Sequence, residues 1–199
     1  MKNQSFRDLS RPMGAQVQSR LDGFLEKYQA LLEMGQTPYH YGSHYRFNKE
    51  HPLVFFFFFL KKTIIFSNVG VVLHYLLRVE PFASYFLQFQ GGHFDVADRL
   101  FDNVETTWRM ASSGSSSDVK ECLPEFYYLP DFLCNNNGFD LGKKQTGDVV
   151  NHVHLPKWAK GSARLFVRRM REALESDYVA KHLPGWIDLI FGYKQRGEG

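Results

Sequence analysis

The sequence predicts a mainly helical fold wrapped around buried, irregular backbone, with little regular sheet. One observation is a series of amphipathic stretches at helical spacing, separated by Gly and Pro. The other is residues 118–142, DVKECLPEFYYLPDFLCNNNGFDLG, built on the near-repeat Leu123-Pro124-Glu125-Phe126 and Leu129-Pro130-Asp131-Phe132. Two prolines six residues apart forbid one continuous helix and remove two backbone donors. Yet Leu123, Phe126, Tyr127, Tyr128, Leu129, Phe132 and Leu133 are too apolar for a solvated loop. The segment therefore reads as buried irregular backbone. Its main chain must find partners on side chains and neighbouring elements, because an orphaned buried amide costs roughly 1–3 kcal/mol.

In chain order, residues 6–13 read as extended, and 16–34 as a helix with Leu21, Phe24, Leu25, Tyr28, Leu31 and Leu32 on one face, stopped by Gly35 and Pro38. Residues 39–45 alternate aromatic rings with His and Ser, which suits extended backbone packed on both sides. Ser67-Asn68 caps a helix to Arg78 with Val72, Leu73, Leu76 and Leu77 inward, and Glu80-Pro81 breaks it. A short helix over 83–89 ends at Gly91-Gly92. The next is expected to be continuous: Asp95 as its cap, Ala97, Leu100, Phe101, Val104 and Trp108 on one face, and Asp98 and Asp102 near its positive end. Residues 112–117 read as a flexible surface loop and 146–156 as a short strand alternating Val149, Val153 and Leu155. Ser162 caps a helix carrying Leu165, Phe166, Arg169, Met170, Ala173 and Leu174, and a last helix follows Pro184 with Trp186, Leu189, Ile190 and Tyr193 inward.

The 199 residues, 44% hydrophobic, suffice for one domain with a real core. The formal charge of +3 sits within residues 46–66, which hold four basic residues and one acid; the remainder has 20 of each sign, so composition gives no footprint for nucleic acid. Cys122 and Cys134 have no metal-ligand spacing and read as reduced thiols of a cytosolic protein. The longest apolar run, 53–60, is eight residues, far below the ~20 needed to span a bilayer.

Eight stretches, in order and covering almost the whole chain, resemble the BEACH domain family of neurobeachin and the lysosomal trafficking regulator. They are RPMGAQ at Arg11, YHYGSHY at Tyr39, GGHFDVADR at Gly91, DVKECLPEFYYLPDFL at Asp118, NGFDLG at Asn137, LPKWAKG at Leu155, REALESDYV at Arg171 and WIDLIFGYKQRG at Trp186. The resemblance implies a multihelical fold built around buried extended segments. It further implies a scaffold in vesicle traffic, lysosome size control and autophagy, peripheral on endomembranes beside a PH-like domain and WD40 repeats. Against the family pattern, residues 1–199 read as a partial domain truncated at both ends, with core-facing surface left uncovered.

Candidate core residues are Leu123, Phe126, Tyr127, Phe132, Trp108 and Trp186. A catalytic reading would use His93, Asp95, Asp98 and Arg99 as an acid/base or metal site, making the chain a hydrolase or metal-dependent enzyme. A cap, an early-turn acid and an ion-pair partner explain the same residues without chemistry. His152 and His154, two apart, would share a strand face, but no third ligand is evident. Asp118, Glu121, Glu125 and Asp131 surround the central stretch and suit amide and arginine partners. Arg168, Arg169 and Arg171, with Lys157 and Lys160, form the candidate basic contact surface, either a solvated helix face or a contact for phosphoinositide or acidic peptide. No Walker loop, GxGxxG or GxSxG motif is present, so the sequence offers no nucleotide or nucleophile-elbow signature and no cofactor is expected.

Residues 46–66 interrupt the family pattern, which runs from His-Tyr directly into Ser and a helix. Five consecutive Phe and a Leu are what a thymidine-rich tract before a splice acceptor encodes, and exposed they would be an aggregation hazard. The boundaries fit a retained intron translated in frame: AGG-TTT at Arg46-Phe47 and an acceptor before Ser67 would splice to a serine codon after Tyr45, removing 21 residues. Transcript sequencing is expected to show a dominant message lacking these codons. A dominant message that carries them, from a locus without GT and AG at the junctions, would make the segment a genuine insertion.

Overall fold

The computed structural model describes residues 7–35, 68–114, 118, 120–190 and 192–195. Within them the chain is mainly helical and forms no sheet. The stretch 39–45, the Phe-rich segment 46–66 and the Ser67 cap lie outside the described residues.

The N-terminal segment is tied by one side chain. Gln16 Nε2 donates to the carbonyls of Asp8, Arg11 and Pro12, and its Oε1 accepts from the Asp8 amide. This folds RPMGAQ into a turn, Met13–Ala15, whose three residues are buried. Helix α1, Gln18–Glu33, then ends at Gly35, which takes φ +65°. Its expected apolar face is not buried: Leu25 is 53% and Leu32 46% exposed. What α1 buries is Arg20, whose guanidinium lies over the Phe24 ring and donates to the carbonyls of Met110 and Asp118. A polar anchor, not the apolar stripe, holds this helix.

Helix α2, Asn68–Leu76, turns inward Leu73, Tyr75 and Leu76, followed by Leu77 and Arg78. Helix α3, Phe82–Phe89, stops as expected: Gly91 and Gly92 both have positive φ, and the Gly92 amide returns to the Leu87 carbonyl at 2.7 Å.

The continuous helix expected through residues 97–108 is instead two pieces. A 3₁₀ turn spans Ala97–Arg99, Leu100 is extended at ψ 151°, and helix α4 covers only Val104–Arg109, capped by Asn103 through the Thr106 amide. The break is caused by pairing with a distant segment: the His154 amide donates to the Asp102 carbonyl at 2.7 Å, and the Val104 amide to the His154 carbonyl at 3.1 Å. These bonds take the main-chain groups that a continuous helix would use. Beyond α4, a π-helical turn, Met110–Gly114, buries Ala111 and Ser112, so the start of the expected flexible loop is packed structure.

At the centre, each proline of the near-repeat opens a 3₁₀ turn, Pro124–Tyr127 and Pro130–Leu133. Phe126 and Phe132 are 6% and 0% exposed, with ring centroids 4.9 Å apart. Phe132 stacks on Phe101 at 6.2 Å, and Tyr75 meets Phe126 edge-on at 5.0 Å. Helix α5, Ala163–Leu174, capped by Ser162 through the Leu165 amide, lays Phe166 against this cluster.

The strand expected over 146–156 does not form. The segment makes isolated bridges to two different neighbours, Lys143 with Val149 and Asn103 with His154, so no ladder builds; Val149 points out and Val150 and Val153 point in. The last long helix also differs. Helix α6, Asp177–Ile190, starts seven residues before Pro184 and contains it. The Ser176 carbonyl accepts the Ala180 amide and its hydroxyl the Val179 amide, a start signal that Pro184 does not overcome.

Replacing Phe132 by Ala in the intact domain is expected to cost about 3–5 kcal/mol in urea unfolding, since its fully buried ring packs against those of Phe101 and Phe126. A change below about 1 kcal/mol would place it outside the core.

Candidate interaction surface

The polar side chains of the central region are used to satisfy backbone. Arg78, 1% exposed, donates from Nε to the Asn151 carbonyl at 2.8 Å and from Nη1 to the Phe101 carbonyl at 2.6 Å; its own carbonyl accepts from Asn137. Burial pulls this guanidinium down to about 10, so it stays protonated at neutral pH. Asn135 bonds both the amide and the carbonyl of Phe139, and its own amide donates to His152 Nδ1 at 3.0 Å. His152 is thus fixed as an acceptor for a loop amide.

Arg7, half-buried, and Glu121, buried, form an ion pair that joins the N-terminal segment to the central stretch, and Glu121 also accepts the Cys122 amide. Burial alone would lower Arg7, but Glu121 beside it outweighs that and holds the guanidinium above its ordinary range. The neighbouring Cys122 thiol is pushed up to about 12 by burial, and burial likewise raises the Tyr127 hydroxyl. Glu125 and Asp131, each following a proline, accept from Tyr128 and Asn136 respectively.

Beside this pair opens a cavity of about 610 Å³. Tyr75, Phe101, Phe126 and Phe166 form its floor, and Trp108, Trp158, Met170 and Leu174 its walls and mouth. Of the sequence-predicted core residues, Leu123, Phe126 and Phe132 are buried, whereas Tyr127, Trp108 and Trp186 are half-buried. Tyr127 and Trp108 face the cavity, which explains their exposure, and Trp186 lies on α6.

The candidate catalytic residues are held by local partners. His93 Nδ1 meets the Phe94 carbonyl, Asp95 accepts the Val96 amide at 2.7 Å and pairs with Arg99, and Asp98 accepts the Gln145 amide. Among the described residues no three His, Cys, Asp or Glu side chains are grouped to hold a metal, and no helix is long and apolar enough to cross a membrane. The basic surface is exposed: Arg168 and Arg169 both bond Glu172, and Arg171 Nε donates to the Tyr127 carbonyl at 3.0 Å. The half-buried Arg7 and the buried Arg20 and Arg78 were not singled out from sequence; the signal available was an uncompensated buried main chain, which names no donor.

Helices closed around proline-broken, side-chain-stitched backbone define the class. The family model described as "Beige/BEACH domain" matches residues 1–63 and 61–199, and the chain belongs to this family. The match divides inside the Phe-rich segment. The chain is 43% identical to the lysosomal-trafficking regulator of Homo sapiens over 97% of its own length and 5% of that protein's. It is 45% identical to Beige protein homolog 1 of Saccharomyces cerevisiae, over 98% and 8%, and 47% to BEACH domain-containing protein B of Arabidopsis thaliana, over 99% and 7%. The chain therefore spans a small fraction of these relatives.

Proposed function

We propose that the chain is a non-enzymatic scaffold and protein-interaction module of membrane and vesicle traffic, acting at lysosomes, endosomes and in autophagy from the cytoplasmic side of endomembranes. Its partners are a PH-like domain and WD40 repeats of the same full-length protein and other trafficking proteins, with peripheral membrane contact and no nucleic acid. The carrying observation is how the acids are used: Asp95 and Asp98 accept loop amides, and Glu121 is buried against Arg7. Carboxylates bound in this way hold the loops in shape, which supports a structural role for them. A relative named as a lysosomal-trafficking regulator supports the cellular setting.

The test is rescue in cells lacking the full-length protein, read as lysosome size. The wild type and a His93→Ala/Asp95→Ala double variant are expected to rescue equally. Failure of the double variant at an unchanged melting temperature would favour the hydrolase reading on His93, Asp95 and Asp98.

A further inference from the structure

We propose that the cavity and the basic face of α5 form one docking site for an acidic polypeptide segment carrying one or two large apolar side chains. The proposal rests on the interaction-module reading above and assigns it a place and a partner chemistry. The cavity supplies the apolar half. Its floor is buried aromatic side chains, while Trp158 and Leu174 at the mouth are 40% and 42% exposed. Its volume of about 610 Å³ exceeds what one aliphatic side chain fills and lies in the range of discrete ligand pockets.

Of the charged residues that line the cavity, Glu105 and Lys157 are exposed, one of each sign, and Arg7 alone lies within. Arg7 is neutralised by Glu121, and the Cys122 thiol and Tyr127 hydroxyl both stay protonated at neutral pH. An inserted group must therefore be uncharged and apolar, because a buried unpaired charge would be strongly disfavoured.

The rim supplies the opposite half. Residues 157–175 contain six basic and two acidic residues, a net charge of +4, against +3 for the whole chain. All six basic side chains are exposed. This face is continuous with the cavity: Lys157 lines it, and Arg171 donates to the carbonyl of Tyr127, which also lines it. Glu172, shared by Arg168 and Arg169, offsets one charge only. An apolar pocket within an exposed polar rim is the layout of a protein interface, and the rim's sign selects an acidic partner. A bilayer would be drawn to the same rim, but its surface presents no side chain to fill a recessed cavity.

The test uses the full-length protein and labelled 12-residue peptides read by fluorescence anisotropy. The probe has Trp and Leu three residues apart, flanked by Asp and Glu. It is expected to bind one-to-one, about tenfold more tightly than a version with Lys for the acids or with Ser for Trp and Leu, and to weaken as salt rises. Arg168→Glu, on the solvent face, is expected to weaken binding several-fold. Leu174→Glu, at the exposed mouth, is expected to abolish it, both variants keeping the wild-type melting temperature. Equal affinity for the Lys peptide, or binding untouched by both substitutions, would overturn the proposal. So would no binding of any peptide, the result if the protein's own chain fills the cavity. Binding to phosphatidylserine vesicles but not to the peptides, insensitive to Leu174→Glu, would assign the face to membrane instead. Because the rescue experiment uses different residues, this assignment can fail while the scaffold reading stands.

Discussion

A buried arginine sets the terms for this fold. Arg78 sits almost fully out of solvent and gives hydrogen bonds to the carbonyls of Phe101 and Asn151, 23 and 73 residues away in sequence. Those carbonyls belong to non-helical backbone that joins no sheet among the described residues. Left unpaired, each would cost roughly 1–3 kcal/mol, so the irregular core exists only because a side chain brings donors to it. Arg20 does the same for Met110 and Asp118, and Asn135 and Gln16 close their own loops. The guanidinium suits this work: its planar fork reaches two acceptors at once on a long apolar stem.

Much of this was legible in the sequence as a requirement but not as an assignment. Two prolines within an apolar run demanded buried irregular backbone, and the structure answers with 3₁₀ turns over Phe126 and Phe132. Ser162 started a helix and Gly91-Gly92 ended one where expected, because caps act locally. The failures are long-range. The periodicity from Ala97 to Trp108 is helical in spacing, yet bonds between Asp102, Val104 and His154 broke the helix, and no local signal announces a partner some 50 residues away. The valines of 146–156 failed as a strand because, among the described residues, no second strand lies alongside them. Arginine is ordinarily a surface residue, so sequence favours the wrong answer for Arg20 and Arg78.

The same economy of polar groups bears on function. Side chains that would attract attention as catalytic or metal-binding, His93, Asp95, Asp98 and His152, are engaged with backbone of the loops they stabilise. What is exposed to partners is surface: the cavity mouth at Trp158 and Leu174 and the arginines of α5. The Arg7–Glu121 pair links these levels, since it ties the N-terminal segment to the central stretch and its arginine also lines the cavity.

The claim that side-chain donors make the irregular core viable is tested most directly by urea unfolding of Arg78→Met, which keeps the apolar stem and removes the donors. Two buried carbonyls left without partners predict a loss of about 2–6 kcal/mol. An unchanged midpoint and slope, with stability within about 0.5 kcal/mol of the wild type, would show that the core does not depend on the arginine.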